Sequence, residues 1–259
     1  AEDFDFDKGE FIDDPVPTAA PATNSYFEEV LAAVVGIDLT TPNNVSGETF
    51  TYRPNDSCGT QVASDFLRQK YITAGVPDYN VGWWYTGDWL NYTRTFPTNN
   101  FYIYGRLAGG NGAYNATNSL VTGGWGTKSQ TTEVLGTFSA VGTGWQSWQW
   151  VPLLNTNGQL AVVSLGGVET LKITSGNSLN ANFYMLVPVP VLPNISVFLN
   201  GSNTVISLPT QAGFSYLVVY KNNLQDAHWK LLSVVTGDGT IKAVTDTINK
   251  SQCFYEVVM

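Results

Sequence analysis

The stretch Asn100-Phe-Tyr-Ile-Tyr-Gly-Arg-Leu107 is typical of a short β-strand, because it is rich in aromatic and β-branched residues. Leu160-Ala-Val-Val-Ser-Leu165 has the same character. Turn-forming clusters such as Gly109-Gly-Asn-Gly112 and Asn155-Thr-Asn-Gly158 separate segments of this kind along the chain. Short strands at this spacing predict an all-β protein, an antiparallel β-sandwich of the jelly-roll type.

The composition excludes several classes of function. Only 13% of the 259 residues are charged, against about 25% in an ordinary soluble domain, and the net charge is −9. Nucleic acid and anionic membranes both attract cationic surfaces, so neither is an expected partner. No apolar run reaches the roughly 18 residues of a membrane helix. The 43% of hydrophobic residues are enough for a sizeable core.

Charge and proline content divide the chain into two units. Residues 1–187 contain 8 Lys and Arg against 17 Asp and Glu, whereas residues 188–259 contain 4 of each class. The stretch Pro188-Val-Pro-Val-Leu-Pro193 has the composition of a stiff linker. We therefore predict a β-sandwich over residues 1–187, a Pro-rich linker over 188–193 and a small second β-sandwich over 194–259.

A long region of the first unit, roughly residues 15–75, has the pattern of extended loops around short elements. A loop of this length in a compact domain is usually functional or a family insertion. Within it, Tyr26–Val35 is the stretch expected to be helical, because acidic residues would fill its first turn. Cys58 and Cys253 allow either one disulfide bridge or two free thiols.

The residue types that enzymes use are sparse. His228 is the only histidine, so the first unit can hold neither a Ser-His-Asp or Cys-His arrangement nor a Cys/His metal cluster. A glycosidase needs two carboxylates that face each other across a sugar. No motif pairs the available acidic residues, which include Asp65, Asp78, Asp88, Glu133 and Glu169. The sequence therefore favours a protein without catalytic activity.

Two segments are dense in tryptophan, Asn80-Val-Gly-Trp-Trp-Tyr-Thr-Gly-Asp-Trp-Leu-Asn-Tyr92 and Thr143-Gly-Trp-Gln-Ser-Trp-Gln-Trp150. Trp and Tyr present flat apolar faces that match the C–H faces of a pyranose ring, and nearby Asn, Gln and Thr can satisfy its hydroxyls. A neutral sugar also requires few charges. About half of the side chains in alternating strands point to the core. The other tryptophans are candidates for carbohydrate binding.

In this order the two segments resemble family 6 carbohydrate-binding modules. Residues 80–92 are similar to a strand of that family that contains a glycine followed by an aromatic residue and then Gly-Asp-Trp. Residues 143–148 are similar to the Thr-Gly-Gly-Trp-Gln-x-Trp element of the family. Weaker similarities are found at Ala1–Phe4, Phe101–Ala108, Gly166–Ile173 and Leu179–Tyr184. The resemblance spans residues 1–187 and implies a β-sandwich with a sugar-binding cleft in the loops at one edge.

The resemblance also implies the residues of that cleft. Trp83 and Trp145 take the positions of the two aromatics that clamp a sugar. Asn177 is the best match for the asparagine that binds its hydroxyls, and Asn180 is the second candidate. Trp89 takes the position of the platform in a second cleft, on the concave sheet face, that some members use.

The family carries a structural calcium ion, so the resemblance implies a calcium site in this chain as well. It places Glu2 among the ligands, together with Asn182 at a position usually held by Asp. Calcium takes six to eight oxygen ligands, and an amide supplies one without charge. The ion would tie the first strand to the last.

We therefore expect non-catalytic binding of a neutral plant- or algal-type polysaccharide, such as a β-glucan or a xylan. Residues 194–259 weakly resemble small domains at the C-termini of secreted bacterial polysaccharide-active proteins. This implies a secreted or cell-surface protein that is a monomer or part of a multimodular enzyme. Two alternatives stay open, a small glycoside hydrolase or lyase and a surface-assembly module without a glycan ligand.

Overall fold

The computed structural model describes residues 1–28, 32–40, 52–247 and 252–259. The chain divides into two compact units, Ala1–Val189 and Pro190–Met259. The division falls inside the proline-rich stretch, where the missing backbone donors of Pro188 and Pro190 limit strand pairing. None of the helical segments in the described residues is long and apolar enough to cross a membrane.

The first unit is built almost wholly from antiparallel strands. Its elements in chain order are β1 (Leu39–Thr40), β2 (Gly59–Val62), α1 (Gln69–Ala74), β3 (Tyr79–Trp84), β4 (Trp89–Gly123), β5 (Thr131–Leu154), β6 (Val163–Ser175) and β7 (Leu179–Pro188). Hydrogen bonding gives the order β1-β4-β7-β3-β2, and both β5 and β6 also pair with β4.

The long strand β4 makes this sheet curl around a core. β4 pairs with β6 over Trp89–Phe101 and again over Ala116–Leu120, with register shifts along its length. Such irregularities bend a strand and increase its twist. The enclosed core includes the fully buried side chains of Phe4, Trp84, Leu107 and Phe138. The prediction of an all-β antiparallel sandwich is thereby confirmed.

The predicted helix over Tyr26–Val35 is wrong for the residues that are described. Residues 26–28 and 32–35 are not helical, and residues 29–31 lie outside the described residues. Two carboxylates accept backbone N–H groups that a helix would need: Asp56 bonds Ala33 N at 2.7 Å and Asp38 bonds Val34 N at 2.8 Å. Asp side chains compete in this way with helix formation.

The described part of the long region 15–75 packs as a second, smaller core. Tyr26, Tyr52, Tyr71 and Tyr79 are buried together with Phe6, and the rings of Tyr52 and Tyr79 lie 4.6 Å apart. Strand β2 pairs with β3 and so adds an edge strand to the sheet. The described part of this region is therefore an integral part of the fold.

The second unit contains two three-stranded antiparallel sheets among the described residues. Its strands are β8 (Ser196–Asn200), β9 (Asn203–Pro209), β10 (Ser215–Lys221), β11 (Lys230–Thr236), β12 (Ile241–Thr247) and β13 (Phe254–Val258). The sheets have the orders β11-β10-β13 and β12-β9-β8 around a core that contains Ile206, Leu208, Tyr216 and Val218. Cys253 in this unit and the buried Cys58 in the first are both free thiols.

Candidate functional site

A cleft of about 360 Å³ opens where β2, β3, β5 and β7 come together. We call it the aromatic cleft and define it by its lining residues, Gln61, Trp83, Trp84, Tyr85, Trp145, Ser178, Leu179 and Asn180. Trp83 and Trp145, which belong to different sequence segments, therefore meet in one site. All eight side chains are uncharged, so the aromatic cleft suits a neutral ligand.

Strand β3 contains a backbone irregularity at Trp83. Val81 pairs with Ala181 and Trp84 with Leu179, so β3 has one more residue than β7 over this interval. Such a bulge re-aims side chains. Trp83 has a φ of +50°, which is strained for a bulky residue and costs on the order of 1–3 kcal/mol. Strain of this kind is found most often at functional sites.

Trp145 forms a platform that is supported from behind. It lies on β5 and is 51% exposed. A Cβ on Gly110 would lie 2.9 Å from the indole ring, so the ring rests against glycine backbone of β4. The backbone of Trp145 is fixed as well, because Asn180 Nδ2 donates a hydrogen bond to its carbonyl oxygen at 2.6 Å. The ring is held in place while half of its surface stays open.

The two candidate asparagines occupy different places. Asn180 lines the aromatic cleft beside Gln61, and Asn180 Oδ1 and Gln61 Nε2 lie 3.4 and 3.2 Å from the position of a Cβ on Gly82. Asn177 is exposed and donates from Nδ2 to the carbonyl oxygen of Ala113 at 3.0 Å. Of the two, Asn180 is therefore the one placed to contact a ligand in the aromatic cleft, whereas the resemblance favoured Asn177.

Gln61 is a candidate site residue for which the sequence carried no motif. It lies on β2, the edge strand that the long region 15–75 adds beside β3. Ser64 and Gln146 join the same region to β5 through a hydrogen bond of 2.9 Å between Ser64 N and Gln146 Oε1. The signal that could have revealed Gln61 is the strand-like run Gly59–Val62 just before the first tryptophan motif.

Trp89 lies outside the aromatic cleft. Lys172 Nζ sits 3.5 Å from the centroid of its indole ring, and the same amine donates to Gln130 Oε1 at 3.2 Å. A lysine over an aromatic face is a favourable cation–π contact. One face of the Trp89 ring is therefore covered by a side chain of the protein itself.

Asp88, in the Gly-Asp-Trp motif, is a buried carboxyl with a structural role. Its Oδ2 accepts a hydrogen bond from Tyr85 N at 2.9 Å, while Oδ1 is buried and has no hydrogen-bond partner among the described residues. Burial raises the pKa of Asp88 to about 6. The folded protein thus keeps the proton of Asp88 up to a higher pH than the unfolded chain does.

This environment leads to a prediction about pH. Because the pKa of Asp88 is higher in the folded than in the unfolded chain, its ionisation destabilises the fold as pH rises from about 4 to above 6. Asp88→Asn should therefore raise the free energy of unfolding by about 1–2 kcal/mol at neutral pH, and by nothing near pH 4. Urea unfolding at both pH values measures this, with the exposed Glu133→Gln as control. Equal gains at both pH values would contradict it.

The predicted calcium ligands do not fit a calcium ion. Glu2 is fully buried and forms an ion pair with Arg68. Asn182 Nδ2 donates to Asp65 Oδ2 at 3.2 Å and to Asp78 Oδ2 at 3.0 Å, so the amide directs hydrogens at these carboxylates. Asn182 Oδ1 is buried without a hydrogen-bond partner, but one amide oxygen is far short of six ligands. The described residues contain no cluster of three or more His, Cys, Asp or Glu that could hold a metal.

Comparisons with known proteins give similar solved structures. No model of a known protein family matches the chain, and no curated protein does. The C-terminal CBM6 of LamC, a marine laminarinase from Zobellia galactanivorans, is 23% identical at a TM-score of 0.37, covering 50% of this chain and 87% of that one. CsCBM6-3 from Clostridium stercorarium, in complex with cellobiose, is 15% identical at a TM-score of 0.37, covering 57% and 92%.

A third structure is a β-1,3-glucan binding CBM6 from Bacillus halodurans. It is 20% identical at a TM-score of 0.37, and the match covers 50% of this chain and 84% of that one. About half of the chain is thus similar to solved family 6 carbohydrate-binding modules, at identities and TM-scores too low to add an argument about function.

Proposed function

We propose that the first unit is a non-catalytic carbohydrate-binding module that takes a neutral polysaccharide into the aromatic cleft. The observation that carries the proposal is the meeting of Trp83 and Trp145 in one cleft with uncharged walls. Their sequence motifs resemble those of family 6 modules. The ligand class we propose is a plant- or algal-type β-glucan, xylan or related chain.

The physical basis is complementarity to a sugar ring. A pyranose has apolar C–H faces and a rim of hydroxyls, so it needs flat apolar platforms and neutral hydrogen-bonding groups. Trp145 offers a platform that is 51% exposed and rigidly supported. Gln61, Ser178 and Asn180 offer hydroxyl and amide groups in the same cleft. Such pockets, apolar with a few convergent polar groups, are the usual form of small-ligand sites.

The same residues argue for binding without hydrolysis. Hydrolysis of a glycosidic bond needs two carboxyl groups placed on either side of it. The described residues that line the aromatic cleft include neither Asp nor Glu. Asp65 and Asp78, two of the acidic residues available to a glycosidase, bond to Arg106 and Arg68 instead. The alternative is a hydrolase or lyase, which the release of cleaved polysaccharide products would support.

The location and assembly of the protein follow from its proposed ligand. Plant- and algal-type polysaccharides lie outside cells, so we propose a secreted or cell-surface protein. The second unit, a small β-sandwich after a proline-rich stretch, would serve as a spacer or attachment domain. We propose that the chain acts as a monomer or within a multimodular bacterial enzyme.

The decisive experiment is a glycan array with the purified chain. It should include β-1,3-glucan, β-1,4-glucan and xylan oligosaccharides, and hits should be confirmed by affinity electrophoresis in the matching polysaccharide. Retention on a neutral glycan supports the proposal. Release of reducing ends or unsaturated products during incubation would favour the enzyme, and an array without any hit would favour the surface-assembly module.

Gln61 allows a sharper prediction about the walls of the aromatic cleft. Its side chain lines the aromatic cleft, and its Nε2 lies 3.2 Å from the position of a Cβ on Gly82. Gln61→Ala should weaken glycan binding by roughly 2- to 12-fold, the equivalent of one hydrogen bond of about 0.5–1.5 kcal/mol. Isothermal titration calorimetry measures the change, and the exposed neighbour Val62→Ala on the same strand is the matched control. Equal glycan affinities of the two variants would show that Gln61 does not contact the ligand.

A further inference from the structure

A buried arginine lies at the centre of a group of carboxylates in the first unit. Arg68 Nη1 pairs with Glu2 and lies 2.8 Å from Asp78 Oδ1, and Arg68 Nη2 lies 3.6 Å from Asp3 Oδ2. We call these four residues the Arg68 cluster. The side chain of Arg68 is only 17% exposed and that of Glu2 is 0% exposed. One guanidinium therefore serves three carboxylates that are largely removed from water.

The partners of Arg68 come from separate parts of the fold. Glu2 and Asp3 belong to the opening segment, and Asp78 directly precedes β3. Asp78 in turn accepts a hydrogen bond from Asn182 of β7 at 3.0 Å. The cluster thus joins the opening segment to two central strands of the sheet, which is the connection that the implied calcium ion would have made.

The long region 15–75 supplies this cation. Arg68 immediately precedes α1, and its guanidinium carbon lies 4.1 Å from the ring centroid of Tyr71 in that helix. The hydroxyl of Tyr71 donates to Glu2 Oε1 at 3.2 Å. A stacked ring restricts the guanidinium, so the hydrogen-bonding directions of Arg68 are set before the carboxylates engage it.

Asp65, which shares the amide of Asn182 with Asp78, also pairs with an arginine. Arg106 Nε lies 2.8 Å from Asp65 Oδ2, and Arg106 Nη2 lies 3.2 Å from Asp65 Oδ1. Asp65 is therefore bound in the two-pronged geometry that guanidinium and carboxylate favour. Burial acts to raise the pKa of Glu2, but Arg68 and the amino group of Ala1, which both contact its carboxylate, together outweigh this effect, and the pKa of Glu2 is lowered. Each of the four carboxylates of this region, those of Glu2, Asp3, Asp65 and Asp78, is thus in contact with an arginine side chain of the protein.

We propose that Arg68 takes the place of a structural metal ion in this unit. The guanidinium holds the opening segment against β3 and, through Asp78 and Asn182, against β7. Its five fixed donors bind several carboxylates at once, which a lysine amine does less well. The stability of the first unit is then independent of calcium, and the long region 15–75 has a structural task besides supplying Gln61.

The test uses thermal unfolding of the full chain. Melting temperatures of the wild type in excess EDTA and in millimolar calcium should be the same, and native mass spectrometry from calcium-containing buffer should show no bound calcium. Arg68→Gln should lower the melting temperature by roughly 6–20 °C, because Asp3 and Asp78 lose their arginine partner and Glu2 keeps only the amino group of Ala1. Lys70→Gln, which breaks the exposed Lys70–Asp14 pair, should lower it by no more than about 4 °C.

Three results would overturn the proposal. They are a lower melting temperature of the wild type in EDTA, one calcium per chain in the native spectrum, or equal effects of Arg68→Gln and Lys70→Gln. If Arg68→Gln does not fold, Arg68→Lys takes its place. That variant keeps the positive charge but not the five directed donors of the guanidinium. Its melting temperature should be lower than that of Lys70→Gln. Full stability of Arg68→Lys in EDTA would equally contradict the proposed geometry.

Discussion

Trp145→Ala should weaken binding of the cognate glycan by roughly 5- to 150-fold, while the protein still folds. This range corresponds to about 1–3 kcal/mol, the value of stacking one nucleobase on an aromatic ring, and a sugar face is of similar size. The substitution removes a platform that is 51% exposed, so little core packing is lost. Affinity electrophoresis measures the binding, and circular dichroism measures the fold.

The chain offers a matched control for this experiment. Trp125 is 49% exposed, nearly as much as Trp145, but it lies outside the aromatic cleft. Trp125→Ala should leave glycan affinity unchanged. If Trp145→Ala migrates like the wild type, Trp145 does not bind the glycan. Equal losses of affinity in both variants would show that a general loss of aromatic surface, and not the aromatic cleft, governs binding.

Arg53→Met should lower the free energy of unfolding by about 3–5 kcal/mol, the usual cost of leaving a buried charge without its partner. Arg53 Nε lies 2.5 Å from Asp56 Oδ2, and the two side chains are 1% and 2% exposed. The guanidinium also lies 3.9 Å from the ring centroid of Phe4 and donates to the backbone carbonyl of that residue. Methionine preserves much of the volume but leaves Asp56 unpaired. Urea unfolding measures the change.

A double variant separates the charge effect from packing. In Arg53→Met/Asp56→Leu no unpaired charge remains, so much of the lost stability should return. A double variant as unstable as the single one would show that other contacts, and not the ion pair, determine the effect. These are the hydrogen bonds from Arg53 to the carbonyl oxygens of Phe4 and Asp5 and the bond from Ala33 N to Asp56. Glycan affinity of either folded variant should stay near that of the wild type, because neither residue lines the aromatic cleft.

The sequence predicted those parts of the protein that depend on neighbours along the chain. Strand-forming residues between glycine-rich turns were enough for the all-β fold. The resemblance to family 6 modules, and not the local sequence, implied that Trp83 and Trp145 share one cleft, and both line the aromatic cleft. The distinction between Asn177 and Asn180 was beyond such reasoning, because it depends on the register of β7 against the bulge in β3.

The remaining features depend on contacts between distant residues. No motif marks Gln61, which reaches the aromatic cleft only because β2 pairs with β3. The resemblance implied the calcium site and placed Glu2 and Asn182 in it, but it gave no sign of Arg68, which lies 66 residues from Glu2. Tyr26–Val35 has a helical composition, yet Asp38 and Asp56 accept the N–H groups of Val34 and Ala33. Each difference arises from a side chain whose partner cannot be read from local sequence.

The two buried arginines also constrain the order in which the first unit folds. Arg53 bonds to the carbonyl of Phe4 across 49 residues, and Arg68 bonds to Glu2 across 66. Contacts between residues so far apart in sequence slow the overall folding rate, because a long stretch of chain must be closed before they form. During synthesis, the carboxylates of residues 2–5 are made well before Arg53 and Arg68. The opening segment thus gains these partners only after most of the long region 15–75 has been added.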